Sequence, residues 1–287
     1  MRVDFIHQHR KEWPVSVLCK VMQVSRSHYY DCVKNKQNQL DKTLEHLENR
    51  LKALFEKHRQ NYGSRRLMKV LRGEGFEIGR YRVRKLMKKL GIFVIQKLRY
   101  KNTTDSDHDL HICENLLDRK FQPERANRVW STDITYIRTA QGFLYLAIVV
   151  DLFSRKIIGW SVQDHMRTLL CKDALIMAWW RRRQPKDVMH HSDRGSQYAS
   201  HEYRQLLADY RMKQSMSRKG NCWDNSPTER VFRTLKSEWL DLFIFKTRAQ
   251  AKAAVWDYIT YYNVDRIHST LGYVSPAQFE LKNKVSL

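Results

Sequence analysis

The chain has 287 residues, 53 Lys and Arg against 30 Asp and Glu, a formal charge of +23 and a pI near 9.9, with 42% hydrophobic and 11% aromatic residues. That apolar content fits about two domains with a sizeable core and excludes a disordered tail or a low-complexity array. The five cysteines are odd in number, scattered and never in a C-x-x-C pair, which argues against a disulfide framework or a paired-cysteine zinc site.

Residues 1–100 hold 24 Lys and Arg against 9 Asp and Glu, a net charge of +15, leaving +8 for the other 187. Cationic potential concentrated in this way attracts phosphate at long range, so nucleic acid is the first expected partner. Pro14 can open a helix over Val15 to Met22, Gln23 and Val24 turn the chain, and Ser25 caps a second helix through Tyr30. This pattern suits a helix-turn-helix offering Arg26, Ser27 and His28 to a major groove, although any small helical hairpin looks similar. A second hairpin follows. Ser64 to Arg72 has apolar residues at helical spacing, Gly73 and Gly75 interrupt it, and Arg80 to Leu90 resumes with Val83, Leu86, Met87 and Leu90. The other side of that last helix carries Arg80, Arg82, Arg84, Lys85, Lys88 and Lys89 with no carboxylate to neutralise them, which favours a phosphate-contacting face over a merely solvated one. The expected divisions are a helix-turn-helix segment over 1–40 and a second basic helical segment over 41–104. A polar, acidic linker over 105–122 and a core unit over 123–287 complete the chain.

Within the core unit, Arg128 to Ile137 alternates, with Trp130, Ile134 and Tyr136 on one side and Ser131, Asp133 and Thr135 on the other, so one face is expected in the core and one free for chemistry. Phe143 to Val150 reads as a buried strand, which Lys156 to Val162 joins through a turn at Asp151 to Arg155. Leu169 to Trp180 is an apolar helix, and Asp187 to Ser192 is another strand, ended by Gly195. Three strands followed by helix, strand and helix describe a mixed sheet flanked by helices, an α/β fold.

Three carboxylates stand where such a sheet can gather them: Asp133 on the first strand, Asp193 after the later one, and Glu229 near the start of a helix. With their flanks, His191-Ser192-Asp193-Arg194-Gly195-Ser196 and Asn225-Ser226-Pro227-Thr228-Glu229-Arg230, they resemble the DDE core of retroviral-type integrases and insertion-sequence transposases. The resemblance is to the second-reading-frame (OrfB) proteins of two-frame insertion sequences. It extends through Tyr62-Gly63-Ser64-Arg65-Arg66-Leu67, Trp130-Ser131-Thr132-Asp133-Ile134-Thr135-Tyr136 and His268-Ser269-Thr270-Leu271-Gly272-Tyr273. It implies an RNase H-like five-stranded mixed sheet, DNA cleavage and strand transfer at terminal inverted repeats, and two Mg²⁺ (or Mn²⁺) ions held by the three carboxylates. Also implied are a homo-oligomeric synaptic complex, and an upstream-frame (OrfA) partner or fusion. The retroviral His/Cys zinc module is absent.

The residue types suit that chemistry, because hard divalent ions take carboxylate oxygens and can activate an attacking oxygen while stabilising the leaving one. Each carboxylate also has a plainer explanation. Asp133 can be a polar residue on a solvated face and Asp193 a turn residue before Gly195. Ser226, Pro227 and Glu229 can form a capping box, unless the helix starts at Asn225 and leaves Glu229 beyond it. Asp151 reads as turn chemistry and Asp224 as a residue capping or preceding the helix. His191 shares the parity of Asp193, and the Trp179-Trp180 pair with Tyr258, Tyr261 and Tyr262 reads as core. On the Glu229 helix, Arg233 and Lys236 lie four and seven residues on, sharing its face and available to DNA. A DNA-binding regulator without activity and a structure-selective nuclease of the same fold are the competing functions. The first residues have no signal-peptide pattern and the longest apolar run, Phe143 to Val150, is too short for a membrane span, so a cytoplasmic location is expected.

Overall fold

A computed structural model describes residues 1–94, 112–219 and 221–285. The chain divides into two compact units, Met1–Val94 and Ile95–Leu287.

The first unit is entirely helical: α1 (Arg2–His9), α2 (Val15–Val21), α3 (Arg26–Lys57), α4 (Ser64–Gly73) and α5 (Arg80–Lys89). Ser25 caps α3, its hydroxyl accepting from the His28 amide at 3.1 Å. Ile6, Leu18, Cys19 and Tyr29 bury together where α1, α2 and the start of α3 meet. The helix after Ser25 does not stop at Tyr30. It continues for 32 residues through the expected 40/41 division, so the two basic segments share one helix. Leu47, Leu51 and Leu54 carry its buried stripe toward α4 and α5, where Leu67, Leu71, Val83 and Leu86 are buried. Arg50 pairs with Glu74 at 2.5 Å and Lys89 with Glu48 at 2.6 Å, bracing the second hairpin against α3.

The second unit contains one five-stranded sheet in the order β3-β2-β1-β4-β5: β1 (Val129–Thr139), β2 (Gly142–Asp151), β3 (Lys156–Gln163), β4 (Met189–Ser192) and β5 (Lys213–Met216). The first three strands are antiparallel, and β4 and β5 run parallel to β1, which is the mixed RNase H-like arrangement. Helices α6 (Thr168–Arg181), α7 (Ser196–Ala199) and α8 (His201–Asp209) belong to one face, and α9 (Ser226–Glu238) and α10 (Arg248–Val264) to the other; α11 (Pro276–Lys282) follows. Gly159 permits the close approach of α6 to β3, since a Cβ there would lie 2.1 Å from the Ala174 carbonyl oxygen.

Both faces of β1 are therefore covered. Trp130 enters the cluster with Ala147, Val149 and α6, while Ile137 joins Leu144, Ile148, Phe232 and Tyr258 opposite. The expectation of one free face is corrected: the opening is at an edge. Of the stretch read as a linker, residues 105–111 lie outside the described residues. Residues 112–122 are tied to the sheet unit, with the Leu116 amide bonded to Ser215 Oγ at 3.0 Å and Asn115 Nδ2 to Asp224 at 2.9 Å.

Candidate active site

The parallel pairing of β1 with β4 covers only Val129–Ser131 against Met189–His191. Ser131 sits opposite His191, so Asp133 and Asp193 each lie two residues beyond the last paired position, Asp133 still on β1 and Asp193 just past the end of β4. Clefts of α/β sheets open at such points, where neighbouring strands part at their carboxyl ends. The Asp133 carboxylate is oriented by its own strand, its Oδ1 accepting from the Ile134 amide at 2.8 Å. Asp193 closes a tight turn, its Oδ1 accepting from the Gly195 amide at 3.0 Å. A Cβ on Gly195 would come within 3.1 Å of that oxygen, so any side chain there would crowd the aspartate.

The third carboxylate comes from α9. Its N-cap is Asn225 and Ser226 is its first residue, so Glu229 is the fourth helical residue and lies beyond capping-box reach. The Asn225 side chain is used elsewhere: its Nδ2 donates to the Thr132 carbonyl at 3.1 Å and its Oδ1 accepts from Ser131 Oγ at 2.6 Å. Thr228 Oγ1 donates to Ser131 Oγ at 2.6 Å. These three buried bonds stitch the start of α9 to β1 immediately before Asp133 and thereby set Glu229 beside the strand.

The charges act on one another. Burial raises the Asp133 carboxyl well above the usual range, and the charges of Asp193 and Glu229 raise it further against the pull of Lys236. Glu229 is raised by burial and then by Asp193. Such crowding of like charge is the condition a cation relieves. Among the described residues no three His, Cys, Asp or Glu side chains form a ready-made ion cage. The donor set nevertheless fits Mg²⁺ or Mn²⁺, since Mg²⁺ is ordinarily held by one or two carboxylates and completes its shell with water and substrate phosphate.

Lys236 lies part-buried on α9, its Nζ 4.5 Å from the centre of the Tyr136 ring, and burial lowers its pKa while Asp241 and Asp133 oppose that shift. Arg233 is exposed on the same helix. Arg26, His28, Arg80, Arg84 and Lys88 are all exposed in the first unit, where His28 Nε2 contacts Cys32 Sγ at 3.5 Å and Arg80 Nε contacts Ser64 Oγ at 3.4 Å.

Other polar residues have structural employment. His191 is buried between the hydroxyls of Ser215 and Ser217, at 2.9 and 3.2 Å, and is packed instead of lining the cleft. Asp224 does not cap α9; it is buried and bonded to Arg218, Arg119 and Asn115, pairs that hold its carboxyl far below the usual range. Asp151 is more than a turn residue: fully buried, it accepts from Arg182 and from the Asn127 and Phe153 amides. Trp179 stacks on Tyr210 at 3.8 Å, whereas Trp180, read as core, is 61% exposed because its helix turns that side to solvent. Ser131, Asn225 and Thr228 stand within the motifs read from the sequence, but the bonds among them carry no local signal beyond the parity of Ser131 with Asp133 and the position of Asn225 before the helix.

Residues 123–222 and 210–276 match the family described as "Integrase core domain", and residues 43–100 match "HTH-like domain". The chain is 37% identical over 286 residues to "Transposase InsF for insertion sequence IS3A" of Escherichia coli (strain K12), covering 99% of each chain. It belongs to the IS3 family of insertion-sequence transposases. Another relative is "Insertion element IS600 uncharacterized 31 kDa protein" of Shigella sonnei, 40% identical over 266 residues, covering 92% of this chain and 98% of that one. Among solved structures, the HTLV-2 integrase catalytic core domain in complex with magnesium is similar at 17% identity and a TM-score of 0.43, over 54% of this chain and 97% of that one. A simian T-cell lymphotropic virus intasome chain matches at 15% identity and a TM-score of 0.48, over 79% and 73%.

Proposed function

We propose that this transposase cleaves DNA at the terminal inverted repeats of its own element and joins the freed ends to target DNA, with Asp133, Asp193 and Glu229 as its catalytic residues. The observation that carries the reading is the position of Asp133 and Asp193, each two residues beyond the β1–β4 pairing, with Glu229 held beside them by the Asn225 and Thr228 bonds. Two divalent ions, Mg²⁺ or Mn²⁺, would be held by these carboxylates and would supply charge stabilisation at the attacking and leaving oxygens.

The chain's own groups do the positioning. The Ile134 and Gly195 amides each hold one carboxylate oxygen, fixing the two aspartates before substrate arrives. Arg233 and Lys236 extend the Glu229 face of α9 with positive charge for DNA phosphate near the scissile bond. In the first unit Arg80, Arg84 and Lys88 bind the backbone, and Arg26 and His28 read bases. Hydrolysis leaves a 3′-hydroxyl, which attacks a second phosphodiester; one ester bond is exchanged for another and no protein side chain is covalently attached. The working form is a homo-oligomer on paired ends, aided by an upstream-frame (OrfA) partner or fusion, in the bacterial cytoplasm. No helix among the described residues is long and apolar enough to cross a membrane.

The test is a labelled end duplex incubated with target DNA and Mg²⁺. The wild-type chain should cut and join, and Asp133→Asn, Asp193→Asn and Glu229→Gln should each abolish both steps while keeping DNA affinity and fold. Mn²⁺ should raise the melting temperature of the wild type and not of Asp133→Asn, because an ion bound only by the folded state stabilises it by mass action. A structure-selective nuclease would cut without joining, and a regulator would bind without cutting. Substantial cleavage by Asp133→Asn would end the assignment.

A further inference from the structure

Tyr136 is not among the carboxylates or cations of the site, yet the Lys236 ammonium lies 4.5 Å from its ring centre. Its strand explains how. Between Ser131, the last residue paired with β4, and Thr139, which bridges to Phe245, β1 has no strand partner on that side among the described residues. Tyr136 has the opposite parity to Asp133, and Lys236 comes from α9 on the Asp133 face. The two side chains meet at this unpaired edge. Phe143 of β2 packs edge-on against the Tyr136 ring, with centroids 5.5 Å apart and planes at 88°, steadying it from the strand side.

The choice of partner has a chemical consequence. Among the described residues Lys236 forms no ion pair with a carboxylate. A carboxylate bonded to the ammonium would compete with phosphate for its protons, whereas an aromatic face attracts the cation through its quadrupole and takes none of its hydrogen-bond donors. Lysine has a long, flexible stem, and ordering it costs conformational entropy when a ligand binds. A ring that holds the ammonium beforehand reduces that cost at the moment DNA arrives.

We infer that Tyr136 is a positioning residue, whose ring holds the Lys236 ammonium at the open edge of β1, three residues from Asp133, with its N–H donors ready for a DNA phosphate. The inference rests on the proposed role of Lys236 in holding DNA at the cleft. It assigns the aromatic face, and not the phenol hydroxyl, as the working part.

A double-mutant cycle on the full chain tests it, using joining of labelled ends at varied DNA concentration, with melting temperatures measured in parallel. Tyr136→Phe should behave as wild type. Tyr136→Leu should raise the DNA concentration needed for half-maximal joining roughly three- to tenfold, with the maximal rate changed less. The pair Tyr136→Leu with Lys236→Ala should be no worse than Lys236→Ala alone, because both changes remove one interaction. Additive losses, a harmless Tyr136→Leu, or a Tyr136→Phe as impaired as Tyr136→Leu would overturn the role of the ring while leaving that of Lys236 intact. A Lys236→Ala chain that joins like wild type would instead overturn the reading of Lys236, and the inference with it.

Discussion

At the scale of single residues, the sheet unit makes unusual use of buried titratable groups. His190 is fully buried, with its Nε2 3.0 Å from the Tyr203 hydroxyl, and burial, followed by the neighbouring His191, lowers its pKa from 6.5 to about 3. The neutral form is therefore built into the fold. Between about pH 3 and 6.5 the unfolded chain takes up a proton that the folded chain refuses, so stability rises with pH through this window and is complete above it. Acidification below pH 6.5 should cost about 1.4 kcal/mol per pH unit from this group alone. Melting temperatures of wild type and His190→Gln between pH 7 and 5 check this: the variant should show a shallower decline, and parallel curves would remove His190 as the cause. Legibility at this scale was uneven. The three carboxylates stood out because their flanking residues are distinctive, and strand alternation put Asp133 and Ser131 on one side. That Asn225 bonds the Thr132 carbonyl across 93 residues of chain could not be seen, because no local pattern encodes a long-range hydrogen bond.

At the scale of elements, periodicity found β1 to β3, which pair in chain order, and β4, but not the four-residue β5, and it found α4 and α5 because glycines bound them. It ended α3 too early: residues 31–43 are rich in Lys, Asn and Gln, and the apolar stripe resumes only at Leu44, Leu47 and Leu51. Attachment of the last helix was also invisible. Glu280 of α11 is buried against Arg182 at the end of α6, Lys156 bonds it at 2.6 Å and Ser154 at 2.7 Å, and Arg182 also reaches Asp151. Five residues from three distant stretches of the chain thus share one cluster, in which Arg182 pairs with both acids and Lys156 with Glu280. Removing one member leaves a buried guanidinium under-compensated, which typically costs 3–5 kcal/mol. Glu280→Ala should therefore lower stability by roughly that amount in urea unfolding. Glu280→Gln, which keeps the hydrogen-bonding shape without the charge, should lose less. If both variants unfold at the wild-type midpoint, α11 is held by its apolar contacts alone.

At the scale of the whole molecule, charge and chemistry reside in different units. Met1–Val94 carries 22 Lys and Arg against 9 Asp and Glu, +13 of the +23, and the proposed catalytic carboxylates lie wholly in the other unit. Folding physics permits this separation, because Met1–Val94 buries its own set of residues, from Ile6 to Met87, and the sheet unit has apolar clusters of its own on both faces of the sheet. A fragment spanning Met1–Val94 should then fold as helix and bind DNA without cutting it. A fragment from Ile112 onward should keep the carboxylates and bind weakly. Salt dependence gives the quantitative check, since each phosphate contact adds roughly −0.9 to the slope of log affinity against log salt. The helical fragment should account for most of the full-length slope. Alanine at Arg80, Arg84 or Lys88 should reduce the slope by about one unit each with little change in sequence preference, whereas changes at Arg26 or His28 should alter preference among sequences. Should the sheet fragment alone reproduce the full-length affinity and slope, the basic face of α5 would have to serve contacts between protein chains, and DNA recognition would move to the cations of α9.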